Sequence, residues 1–138
     1  MSEEATKRGS EEGGRRAVVR TFRDLLVWQK RMKLALHVYA LTKQFPADER
    51  FGLTSQLRRA AVSVPSNIAE GHARQTRGDY LRCLRIARGS LAEVGTQLEL
   101  ARELGYLADP DHALELCNEL ARMLQSLIHA LERKGNAP

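Results

Sequence analysis

Arg82, Arg85 and Arg88 recur at steps of three, with Arg74 and Arg77 just before them. On a helix this spacing makes a sloping basic ridge. Arginine suits phosphate because its planar guanidinium donates two parallel hydrogen bonds. The ordinary alternative is a solvated helix face with no ligand. Arg58 and Arg59 form a second basic pair, which could equally make salt bridges to Glu93, Glu99 or Glu103. These seven arginines are the candidate nucleic-acid-binding residues.

Other constellations carry less. Glu115 and Glu119, and Glu99 and Glu103, are four apart. A di-metal bundle needs inward Glu-x-x-His pairs, and the chain has none. The carboxylates are expected to face solvent. Cys83 and Cys117 read as buried thiols acting as small hydrophobes. His37, His72, His112 and His129 show no ligand spacing with each other or with the cysteines. There is no phosphate-binding glycine loop, nucleophile elbow or Cys–His signature. No catalytic residue, cofactor or metal site is expected, and the chain does not read as an enzyme.

Charge is unevenly spread along the 138 residues, whose net formal charge is +5. Residues 21–45 and 72–90 are basic, whereas 108–138 is acidic. A basic part on one small domain suggests an anionic partner. No run of about 18 apolar residues exists, so no transmembrane helix is expected. The polar, Gly-rich N-terminus lacks a signal-peptide core, and a cytoplasmic location is expected.

The elements that must position these residues are helices. Leu, Ala, Arg and Glu dominate and aromatics are few, which favours helix over strand. Residues 1–20 read as a disordered tail, 21–134 as one domain, and 135–138 as a disordered C-terminus. The first helix is expected from about Asp24, an N-cap preceded by Phe22, to about Gln44. Leu25, Trp28, Met32, Ala35 and Tyr39 alternate steps of three and four, as a bundle seam requires. Val27, Leu34, Val38 and Leu41 form a second stripe nearly opposite. Two opposed apolar faces imply an outside partner, and this second stripe is assigned to an oligomer interface.

The second helix is expected from about Asp48 to Ala73, with a seam of Leu53, Leu57, Ala60, Val64 and Ile68. Pro65 inside it should kink it, with Ser63, Ser66 and Asn67 near the freed carbonyls. The third is expected from Gly78 to Leu104, ended by Gly105, with a seam from Tyr80 to Ala101. Gly89 and Gly95 within it suggest close approach by a neighbouring backbone. The fourth opens at Asp109-Pro110 and ends at Gly135. Four helices with short loops give an all-α, antiparallel up-down-up-down four-helix bundle.

Three segments carry a resemblance. They are GLTSQLRRAAVSVPSNIAEGHAR from Gly52 to Arg74, FRDLLVWQK from Phe22 to Lys30, and LRIARGSLAEVGTQLELARELGY from Leu84 to Tyr106. Together they resemble the bacterial 23S rRNA intervening-sequence proteins over residues 22 to about 131. The resemblance implies a four-helix bundle assembled as a ring-like homopentamer. It also implies kinship in fold with the accessory proteins of diversity-generating retroelements, which bind nucleic acid and a reverse transcriptase. It transfers no catalytic residue. Gly95, where an acid is usual, Cys83, where an aromatic is more frequent, and the longer tail depart from the pattern. The function expected is a non-enzymatic oligomeric scaffold that binds RNA or DNA. The alternative is a protein-interaction adaptor whose partner is a reverse transcriptase.

Overall fold

In the computed structural model, the backbone is described for residues 22–136 and side chains for residues 27–134. Residues 1–20, the side chains of Asp24 and Leu25, and the last two residues lie outside this range. The elements are α1 (Phe22–Thr42), a 3₁₀ turn (Ala47–Glu49), α2 (Leu53–Ala73), α3 (Arg77–Glu103) and α4 (Asp111–Asn136). No strand occurs among the described residues.

Contacts between helices fix their directions. Arg31 reaches Pro65 and Thr42 reaches Arg58, so α1 and α2 run oppositely. Ser63 meets Ser90 and His72 meets Tyr80 across α2 and α3. Arg85 meets Glu132 while Arg102 meets Asp111 across α3 and α4. Lys30 pairs with Glu119 and His37 meets His112 edge to face across α1 and α4. Each helix is antiparallel to its chain neighbour, and α4 closes against α1.

Local chemistry sets the boundaries. Gly52 breaks the chain between the 3₁₀ turn and α2, which is why α2 starts at Leu53 rather than near Asp48. Glu49 Oε1 accepts from the Leu53 amide at 3.0 Å, and Glu49 Oε2 accepts from the Tyr106 hydroxyl at 2.7 Å. One carboxylate thus caps α2 and ties it to the α3–α4 loop. Gly105 ends α3 with φ +81°, a conformation that glycine adopts without Cβ strain. Tyr106 N donates to Ala101 O and Gly105 N to Arg102 O, which is a Schellman stop. Asp109 Oδ1 accepts from the Asp111 amide at the start of α4. α4 continues through Gly135 to Asn136.

The seams of α2, α3 and α4 fill the core as their periodicity requires. Leu57, Val64, Leu84, Ala87, Val94, Leu98, Leu120 and Leu124 have no exposed surface. The α1 assignment is reversed. Val27, Leu34 and Val38 are buried inside their own bundle, and Leu41 packs half-buried against the same core. They are therefore not an oligomer interface. Trp28, Met32 and Tyr39, read as the inward seam, are 46, 42 and 41 % exposed. Both stripes have helical spacing, so periodicity alone does not choose between them. The compact aliphatic stripe is buried in the core and brings no side-chain polar atom into it. The aromatic stripe stays outside, where Trp28 and Tyr39 lie beside the guanidinium groups of Arg31 and Arg58.

The glycines also differ from expectation. A Cβ at Gly89 or Gly95 would meet nothing within 4 Å in this chain. Close approach occurs instead at Gly71, where a Cβ would lie 2.7 Å from Tyr80 Cδ1. Gly71 lets the end of α2 sit against the start of α3.

Candidate nucleic-acid interface

Thr76 opens α3 as its N-cap, accepting from the Asp79 amide at 3.1 Å. That cap holds the ridge arginines on a regular helix. Arg77 and Arg82 are exposed, and neither has a hydrogen-bond or ion-pair partner among the described residues. The other ridge members are engaged. Arg74 pairs with Glu70 at 2.6 Å, and that carboxylate raises the arginine's pKa above its usual value. Arg85 pairs with Glu132 at 2.5 Å. Arg88 Nη1 donates to Gln125 Oε1 at 2.6 Å. The ridge partly serves the α3–α4 contact, and Arg77 and Arg82 are its free cations.

The fold adds cations that linear reading placed in an acidic segment. The Arg85–Glu132 pair sets the end of α4 beside the start of α3. Arg133 and Lys134 therefore share one end of the bundle with Arg74, Arg77, Arg82 and Arg85, against Glu70, Asp79 and Glu132. The opposite end carries Asp48, Glu49, Glu103, Asp109 and Asp111 against Lys43, Arg50 and Arg102. Charge is thus divided between the two ends. The missed signal was topological, since α4 must return to the α2–α3 turn in an up-down bundle.

Arg58 and Arg59 do not join this group. They lie about 20 Å along α2 from its C-terminal end, at 1.5 Å per residue. Arg58 Nε donates to Thr42 Oγ1 at 2.7 Å, and its guanidinium lies 4.7 Å from the Tyr39 ring centroid. It makes none of the expected bridges to Glu93, Glu99 or Glu103. Arg59 is exposed without a partner among the described residues.

The carboxylates face outward or meet cations. Glu119 pairs with Lys30, and Glu99 with Arg102, while Glu103 and Glu115 are exposed. Among the described residues no group of three His, Cys, Asp or Glu could hold a metal. Cys83 and Cys117 are buried free thiols, and burial pushes Cys117 up to about 12, which suppresses its thiolate. An open groove of about 650 Å³ lies between α3 and α4, bordered by Ala92, Gly95, Thr96 and Ala121.

These features define a helical bundle with a charged end. The profile of the 23S rRNA-intervening sequence proteins matches residues 23–126, and the chain belongs to that family. A solved structure from Bacteroides thetaiotaomicron VPI-5482, a protein of unknown function from the S23 ribosomal protein family, has the same fold. It is 25% identical with a TM-score of 0.73, covering 78% of this chain and 99% of that one. No curated protein matches by sequence. Among the described residues no helix is long and apolar enough to cross a membrane.

Proposed function

We propose that this chain is a non-enzymatic nucleic-acid-binding scaffold that works as a cytoplasmic homo-oligomer, the pentamer implied by the resemblance. Its phosphate contacts come from the basic end. The observation that carries this reading is the exposure of Arg77 and Arg82 without partners among the described residues, at the end of the bundle that also holds Arg133 and Lys134. The family's association with inserts of 23S rRNA favours RNA as the ligand. One basic end binds weakly, and repetition around an oligomer multiplies it. Tyr80, between Arg77 and Arg82 in the chain, is half-buried and meets His72 rather than standing out as a stacking platform, so the contact is with the backbone rather than the bases.

The adaptor reading, with a reverse transcriptase as partner, relies on the second apolar face of α1, whose Val27, Leu34 and Val38 are buried in the core, and on an acidic α4. Three of its acids are already held within the chain: Asp111 by Arg102, Glu119 by Lys30 and Glu132 by Arg85. This favours the nucleic-acid reading.

The test is the anisotropy of a labelled RNA duplex titrated with the protein at about 50 and about 200 mM salt. Affinity should fall more than about tenfold between the two, as expected for release of counterions from a few phosphates. Absence of binding at the lower salt, or affinity indifferent to salt, would overturn the reading.

A further inference from the structure

Gln125 on α4 is held from both sides. Its Oε1 accepts from Arg88 Nη1 of α3 at 2.6 Å, and its Nε2 lies 2.7 Å from Nε2 of His129. Valence fixes the protons in this chain. A guanidinium only donates, so the carboxamide oxygen must face Arg88. The carboxamide nitrogen then faces His129, and it too only donates. His129 Nε2 is therefore the acceptor, which requires a neutral ring with its proton on Nδ1.

A proton on His129 Nε2 sets two donors against each other. The contact is restored when Gln125 turns over and offers Oε1 to the imidazolium. Its NH2 group then points at Arg88, and the Arg88 hydrogen bond is lost. One proton thus yields two available cations, the imidazolium and the released guanidinium.

Both groups border the basic end. Arg85 and Arg82 follow Arg88 toward the start of α3, and Arg133 follows exposed His129 by one turn of α4. Arg122, two turns or about 10 Å before His129 on the same helix face, is exposed without a partner among the described residues. The charged groups facing His129 are few. On α4 they are Glu132 and Arg133, and Glu132 is held by Arg85. On α3 they are Arg85 and Arg88. On α1, Lys30 already pairs with Glu119, ten residues before His129, and no charged side chain described on that helix reaches the level of His129.

We propose that His129 and Arg88 extend the phosphate-binding surface along α3 and α4 when His129 takes up a proton, so that RNA binding strengthens as pH falls. The proposal rests on the nucleic-acid reading of the basic end and adds its regulation. Histidine is the side chain whose charge ordinarily changes between about pH 5 and 8. The sign follows from linkage: phosphates that favour the imidazolium are bound more tightly where it forms.

The test measures the affinity of the full chain for a labelled RNA duplex by anisotropy, over a salt series at pH 7.5 and again at pH 5.5. Two added phosphate contacts should steepen the parent's slope of log affinity against log salt by about two on acidification, at about 0.9 per contact, the value for duplex DNA. His129→Gln keeps a neutral acceptor for Gln125 and should lose this response. Arg88→Gln should keep about half of it, and His72→Gln, at the same end of the bundle, should respond as the parent does. Glutamine is a comparable helix former, so all three should stay folded. Salt-dependent binding at pH 7.5 with a parent-like acid response in His129→Gln would overturn the proposal and leave the basic-end reading standing. A full response in Arg88→Gln would overturn the release of Arg88. No binding at either pH would overturn both readings. A measurement without RNA reads the relay itself: the Gln125 side-chain amide resonance should move between pH 7.5 and 5.5 in the parent and stay in place in His129→Gln. An amide unmoved in the parent would overturn the relay whatever the RNA result.

Discussion

His37 on α1 and His112 on α4 meet edge to face, with ring centroids 5.1 Å apart. Burial lowers the pKa of His37 from its ordinary 6.5, and the nearby His112 lowers it further. Below that ordinary value the unfolded chain therefore binds this proton more readily than the folded one. The stability contributed by neutral His37 is complete above about pH 6.5 and is lost as pH falls toward its depressed folded pKa. His37→Asn should lose less melting temperature than the parent between pH 7.5 and 5.5, as thermal melts would record. Equal losses would remove His37 from the acid response. The contact was not legible in the sequence, because the two histidines lie far apart in the chain and meet only when α4 closes on α1.

At the scale of elements, the glycines separate two roles that spacing alone could not. Gly71 sits where α2 and α3 nearly touch, so Gly71→Ala would force its Cβ against Tyr80 and Cys83. That overpacking should cost about 1–3 kcal/mol in urea unfolding. Gly95 faces the open α3–α4 groove, so Gly95→Ala should stabilise α3 by up to about 1 kcal/mol. If both variants destabilised alike, the groove would not be open in solution. The existence and direction of all four helices were legible, since the seams of α2, α3 and α4 and the stops at Gly105 and Asp109-Pro110 act locally. The orientation of α1 was not. Its two stripes satisfy the same period, and only packing against three other helices selects the aliphatic one. The unpaired arginines were likewise hidden, since Glu132 and Gln125 reach Arg85 and Arg88 from a helix far along the chain.

At the scale of the whole molecule, the bundle has a basic end and an acidic end. Its surface salt bridges each contribute about 0–1 kcal/mol, so this separation has little bearing on folding and can serve binding. The homo-oligomer proposed above would repeat the basic end once per subunit. The most direct test compares two double variants for affinity to an RNA duplex over a series of salt concentrations. Arg77→Gln with Arg82→Gln removes the free cations, while Arg85→Gln with Arg88→Gln removes those already bound to α4. Glutamine is a comparable helix former, so both should stay folded. The first pair should weaken binding at fixed ionic strength and flatten the slope of log affinity against log salt by at least about one. The second should change both less. Parent-like affinity and slope in the Arg77 and Arg82 variant would contradict the account.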